Sequence, residues 1–180
     1  MAKYYELRVH SRDVRADLSP LPGDTDIGNH TGYDLITTHE DGSQTIQYID
    51  LYTNSSLDIG FYISAPVPAQ EYTIMDEDGN SRTILWGTQT AHDGTMQVTT
   101  VEYLTEYKVY TSTIIDETNS TEAFKAFNKI KLEATFLQSL KDELVYNPKT
   151  RNCNTSTRYF AEQYLNGQNV FAMLPIGEYI

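Results

Sequence analysis

The sequence predicts an α+β domain: an antiparallel sheet packed against a long helix and a second helix that opens at the only cysteine of the chain. Three observations carry this. Asp-Gly turns separate runs rich in Ile, Thr, Tyr and Val, the pattern of β-hairpins. At Asn119 the spacing of apolar residues changes from two to three and four, the period of a helix. Pro148 and Gly167 then bracket a short stretch that starts at Cys153, with Asn152 or Asn154 as its cap and Gly167 as its stop.

From the N-terminus, Tyr4 to His10 alternates as a first strand, with Tyr5, Leu7 and Val9 on one face. Ser11 to Asn29 reads as a long loop because of Ser19-Pro-Leu-Pro-Gly23. Tyr33–Thr38 and Ser43–Tyr52 form a hairpin through Glu40-Asp-Gly42, so His30 opens its first strand and His39 lies exposed at its turn. Residues 54–70 read as a loop with a short strand, since Pro66 and Pro68 interrupt regular structure around Phe61, Tyr62 and Ile63. Glu71–Met75 and Arg82–Trp86 form a second hairpin around Asp76-Glu-Asp-Gly79. Gln97–Tyr103 and Tyr107–Ile115 read as further strands. Asn119 with Glu122 starts the long helix in the manner of a capping box, and Phe124, Phe127, Ile130, Ala134, Leu137, Leu140 and Leu144 form its apolar stripe. It ends by Tyr146, before Pro148. Val170–Leu174 docks as a strand or plug.

Composition narrows the class of function. A length of 180 residues and 39% hydrophobic content suit one domain, residues 1–180, with 54–115 as an insertion or an elaborated part of the sheet. The formal charge of -12 argues against nucleic acid and anionic membrane surfaces, both of which select a cationic face. One cysteine permits no internal disulfide framework, and no zinc-type Cys/His spacing occurs, so neither metal nor cofactor is expected. The opening Met-Ala-Lys-Tyr-Tyr-Glu-Leu lacks a signal-peptide pattern, and no run reaches the roughly 18 apolar residues of a membrane span. The expectation is a soluble protein, cytoplasmic as made.

Cys153 is the residue most suggestive of chemistry. Its neighbours Arg151, Asn152, Asn154, Thr155, Ser156 and Thr157 are polar, which a cysteine with only a packing role does not need. At a helix start, unpaired backbone N–H groups and the helix dipole favour the thiolate and can hold an oxyanion. A thiol nucleophile also needs an imidazole. Of His10, His30, His39 and His92, His30 is the best placed, between a glycine-punctuated loop and a strand expected to be central.

Gly28-Asn-His-Thr-Gly-Tyr-Asp-Leu-Ile36, Glu40-Asp-Gly42 and Tyr146-Asn-Pro-Lys-Thr-Arg-Asn-Cys-Asn-Thr155 together resemble the circularly permuted papain-like proteins related to the NlpC/P60 group. Leu7-Arg-Val-His-Ser-Arg12 is similar to the first strand of some bacterial and phage members. The resemblance covers about 40 residues in three blocks. It implies a papain-like fold in which the histidine precedes the cysteine, with Cys153 as nucleophile and His30 as base. Thr31-Gly32 departs from the small-then-aromatic pair expected after the histidine. No third member is marked by the resemblance, and Gln47 and Asp50 are the candidates for that orienting role.

The expected function is therefore a cysteine hydrolase, an amidase, peptidase or acyl transferase, with a peptidoglycan peptide as the leading substrate. Delivery by a secretion system or a phage would suit a chain without a signal peptide. The competing expectation is an inactive papain-like binding or inhibitor protein whose Tyr-rich acidic surface engages a protein partner. A structural phage component shares the same bulk properties.

Overall fold

The computed structural model describes residues 2–17, 24–53, 59–92, 95–139 and 153–174. Nine strands, three α-helices and two 3-10 turns follow one another among these residues. The first three strands are β1 (Ala2–Asp17), β2 (Asp24–His39) and β3 (Gln44–Thr53). They are followed by β4 (Ile59–Ile63), β5 (Val67–Met75), β6 (Ser81–Gly87), β7 (Gln89–His92) and β8 (Thr95–Val98). A short helix, α1 (Val101–Glu106), leads into β9 (Tyr110–Ile115). The helices α2 (Ser120–Ser139) and α3 (Cys153–Tyr164) complete the order.

The main sheet runs β6-β5-β3-β2-β1-β9, with β4 paired to β3 beside this path, and every pairing is antiparallel. It curls into a half-barrel. The curl is visible in one side chain: Arg8 of β1 donates through Nη1 to the carbonyl of Leu85 on β6, although three strands lie between them in the sheet order. A separate ribbon of β7 and β8 lies outside this sheet.

Period two in β1 to β3 separates two buried faces. Leu7, Val9, Tyr33, Leu35 and Ile49 point outward and pack under Ala123, Phe127, Ile130 and Ala134 of α2 and Phe160 and Ala161 of α3. The other face lines the curl. There Ile36, Ile46 and Tyr48 meet Tyr72, Ile84 and Trp86 from the second hairpin and Leu104 of α1. Each large aliphatic or aromatic side chain buried in this way contributes about 1.5–3 kcal/mol, which is why both layers stay closed.

The two Asp-Gly hairpins form as expected. Gly42 and Gly79 take positive φ angles of 87° and 80°, and Asp76 Oδ1 accepts from the backbone N–H groups of Asp78 and Asn80. The long helix and the helix opening at Cys153 also form, and Gly167, at φ 69°, donates to Ala161 O as the second one ends. Val170–Met173 is a 3-10 turn that plugs the outer core with Val170 and Leu174. The expected helix end near Tyr146, Leu140, Leu144 and the Asn152 cap lie outside the described residues.

Three expectations are corrected. The stretch expected as a loop from Ser11 to Asn29 is largely strand, because β1 and β2 continue as a two-stranded ribbon to the pair Asp17 and Asp24. Backbone pairing satisfies these polar residues without an apolar pattern. Pro68 sits inside β5 opposite Thr45, where its missing N–H costs no bond and its carbonyl accepts from Thr88 N–H. Val101–Glu106 is helical despite its β-rich composition, since Thr100 caps it by accepting from Tyr103 N–H and Leu104 is drawn into the core. Residues 54–115 supply β4 and β5 beside β3, β6 beside β5, and β9 beside β1, so they build both flanks of one sheet.

Candidate active site

The first three strands set the positions. In register, Arg8 lies opposite Asp34, His10 opposite Gly32, and Arg12 opposite His30. Across the next pair, Gly32 lies opposite Asp50 and Asp34 opposite Tyr48. All these residues therefore share the face that lines the curl. Arg8, His10, His30 and Asp34 are buried, and Asp50 is partly buried.

They form an unbroken line of contacts. Arg8 Nε donates to Asp34 Oδ2 at 2.6 Å. Asp34 Oδ1 lies 2.6 Å from His10 Nδ1, and His10 Nε2 lies 3.0 Å from Asp50 Oδ1. The same Asp50 oxygen is 2.6 Å from His30 Nε2. Both ring nitrogens of His10 face oxygens that, as carboxylates, can only accept, so both carry protons and the ring is an imidazolium. Tyr48 and Trp86 stand edge-on to it, with ring centroids at 5.9 and 5.4 Å.

The charges follow from these contacts. Burial works against the charged form of His10, but the Asp34 and Asp50 carboxylates outweigh it and push the imidazole up to about 9. Burial would raise Asp50, yet the two imidazoles hold its carboxyl far below the usual range. For His30, burial and the Arg12 guanidinium disfavour the proton, while Cys153 and Asp50 favour it more and raise the group above its ordinary value.

Cys153 is the first residue of α3 and is partly buried. Its helix is pinned to β2 by short polar contacts. The Thr31 hydroxyl lies 2.7 Å from Asn154 Oδ1 and 2.9 Å from Thr157 Oγ1, and Tyr33 OH donates to Thr157 O at 2.5 Å. Asn154 Nδ2 donates to Asn29 O at 3.1 Å, and the thiol lies 3.9 Å from the same carbonyl. The β2–β3 pairing stops at Gly32 and Asp50, while β3 continues to Thr53 paired with β4. Burial would raise the thiol pKa, but the charge and hydrogen bond of His30, with the N–H groups of Thr31 and Asn154, lower it.

Of the residues singled out in the sequence, His30 and Asp50 thus belong to one buried cluster, and Cys153 stands outside it at the start of α3, its thiol 3.9 Å from the Asn29 carbonyl. Gln47 is not part of it either: it lies on the opposite face of β3 from Asp50 and donates to Ser64 O at 2.8 Å. His39 is only partly exposed at the hairpin end, 3.2 Å from Thr45 Oγ1, and His92 ends β7. His10, Asp34 and Arg8 carried no expectation of a role. Their signal was present, though, as a charged residue between two large apolar ones in Leu7-Arg8-Val9-His10 and Tyr33-Asp34-Leu35, and again in Ile49-Asp50-Leu51.

His10, His30 and Asp50 also bring three potential metal-ligating atoms within 4.8 Å of one another. The two contacts to Asp50 Oδ1, 3.0 and 2.6 Å, are hydrogen-bond lengths. Ligands held about 2.0–2.1 Å from a tetrahedral metal would stand roughly 3.3 Å apart. The geometry therefore fits a carboxylate shared by two ring N–H groups better than a metal site. A surface pocket of about 470 Å³ lined by Arg158, Glu162, Gln168 and Phe171 lies further along α3 and includes neither Cys153 nor His30. No helix among the described residues is long and apolar enough to cross a membrane. No family model, no curated protein and no solved structure matches the chain.

Proposed function

We propose that the chain is a papain-like cysteine hydrolase or acyl transferase in which Cys153 is the nucleophile, His30 the proton carrier and Asp50 the group that orients it. The observation that carries this reading is an imidazole held by a carboxylate next to the strand residue that pins the thiol-bearing helix. His30 Nε2 is fixed 2.6 Å from Asp50 Oδ1, Thr31 holds α3 through Asn154 and Thr157, and the charge of His30 favours the thiolate of Cys153 at the helix start. With Nε2 committed to the carboxylate, Nδ1 is left for the sulfur.

The chemistry follows from that arrangement. The proton of Cys153 passes to His30, and the thiolate attacks the carbonyl carbon of an amide or ester. The oxyanion gathers at the start of α3, where the first N–H groups have no intrahelical partner. His30 gives its proton to the departing amine or alkoxide, leaving a thioester on Cys153. Water, or an acceptor amine or alcohol, then attacks the thioester while His30 takes its proton, and the acyl product leaves as the thiol reforms. Asp50 stays ionised throughout and keeps Nε2–H in place. A peptidoglycan peptide is the first substrate to assay, on the strength of the family resemblance.

The test is the rate of Cys153 alkylation by iodoacetamide from pH 5 to 9 in the native protein and in His30→Ala. Labelling at pH 6 that falls at least tenfold in the variant is the expected result. A native profile that rises only near pH 8.5, the ordinary thiol range, would make Cys153 structural and favour a protein-binding role.

A further inference from the structure

We propose that His10, anchored by Asp34 and Arg8, is a positioning residue that reaches across Gly32 to lock Asp50 behind His30. The inference rests on the reading of Cys153, His30 and Asp50 given above.

The row His10, Gly32 and Asp50 crosses three strands, β1, β2 and β3. Outer strands in such a row stand roughly 9–10 Å apart, twice the spacing of neighbours. Their side chains meet only if the middle residue leaves the space above the sheet empty. Gly32 does so. A Cβ built there would lie 2.4 Å from Asp50 Oδ1 and 2.7 Å from His10 Cε1, so the two flanking side chains occupy the place where any other residue would project.

The result is a carboxylate held from two sides. His30 and His10 share one oxygen of Asp50. With His30 alone, a partly exposed carboxylate on the edge of the cluster could rotate away from the ring it serves. His10 removes that freedom, and it is itself fixed: Asp34 holds Nδ1, Arg8 holds Asp34, and Tyr48 and Trp86 stand against the ring. The titratable and charged groups facing His10 are Arg8 on its own strand, Asp34 and His30 on β2, and Asp50 and Tyr48 on β3. Arg12 on β1 acts on His30 from the other side. From Arg8 to His30 cationic groups and carboxylates alternate without a break, and on this proposal an ionisation at the buried end reaches the sulfur through His30.

A purely structural cluster would stabilise the fold and leave the thiol indifferent to His10. The deciding measurement is therefore the pH profile of Cys153 alkylation in His10→Gln, in protein whose near-ultraviolet circular dichroism matches the native. His10→Gln offers donors to one carboxylate but not to both. The expected result is a drop of roughly tenfold in labelling at pH 6 and a midpoint displaced toward the ordinary thiol range. Asp34→Asn, which removes one charge at constant shape, should move the profile the same way by a smaller factor, and it serves where His10→Gln does not fold. In the native protein, a long-range ¹H–¹⁵N spectrum at pH 7 should show His10 protonated on both nitrogens. A native profile that is activated and unchanged in both variants would overturn the role of His10 and leave the Cys153–His30 pair standing. A neutral His10 would do the same. A native profile of an ordinary thiol would overturn both readings.

Discussion

The two faces of the same three strands make opposite use of burial. Leu7 and Val9 point into a dry layer under α2 and α3, while Arg8 and His10, the residues between and after them, point into the curl and meet carboxylates. One face gains from removing apolar area from water. The other loses by desolvating charges and recovers through contacts at 2.6–3.0 Å. A defect on the first should therefore cost stability alike at every pH, whereas the second should respond to pH.

The largest effect is expected at the centre of the charged face. Gly32→Ala forces apart His10 and Asp50 and also meets Ile49 O at 2.7 Å, a backbone atom that cannot swing aside. Separating a buried pair costs about 3–5 kcal/mol and overpacking adds more, so urea unfolding should find this variant unfolded or nearly so. A Gly32→Ala protein of native stability would break the comparison. Next comes Phe127→Ala under the apolar face, with an expected loss of about 3–5 kcal/mol. Its loss should be the same at pH 5, 7 and 9 when the unfolding midpoints are compared.

The charged face has its own pH signature. His10 is raised from 6.5 to about 9 in the folded protein, so its contribution is full below the unfolded value and is lost as pH rises through about 9. Asp50 is lowered, so its contribution is present above the unfolded carboxylate value and is lost as pH falls below it. Native stability should therefore fall at both ends. His10→Gln should reduce the alkaline limb to the share left by His30, whose proton is also held above its ordinary value, and Phe127→Ala should keep both limbs in full. Thermal unfolding scans between pH 3 and 10 decide this, and an alkaline limb undiminished in His10→Gln would sink the assignment. A smaller loss, about 1 kcal/mol, is expected for Tyr33→Phe, which removes the donor to Thr157 O. The smallest should be Gly42→Ala, where a Cβ meets nothing and only the φ of 87° opposes it, at about 1 kcal/mol or less in chemical denaturation.

The same contrast explains what could be read in the sequence. Hairpins at Asp41-Gly42 and Asp78-Gly79, the stripe of Phe127, Ile130 and Ala134, and the helix opening at Cys153 are local signals, set by turn chemistry and period. Cys153 and His30 stood out in the sequence because thiols and imidazoles carry chemistry wherever they lie. Asp50 was one of two candidates, and choosing it over Gln47 required knowing which face of β3 lines the curl. His10 was weighed as an imidazole and passed over as the end of a strand, and Asp34 was read only as a member of one. A charge in an apolar strand acquires meaning from the strand beside it, and that register is absent from a one-dimensional pattern. Residues 11–29 and 101–106 were misread for a related reason: cross-strand pairing in one case and a docked Leu104 in the other outweigh local propensity.

The contacts that pin α3 to β2, from Thr31 to Asn154 and Thr157, span 123 and 126 residues of chain. During synthesis the strand carrying His30 leaves the ribosome long before the sulfur does. Loops of that length close late, after shorter-range structure has formed. The helix that carries Cys153 therefore docks onto strands whose own imidazole and carboxylate contacts can already be in place. Under the proposed function the thiol gains its reactivity only on that docking, so activation of Cys153 would be a late event in folding, set by the most distant contacts of the chain rather than by its local sequence.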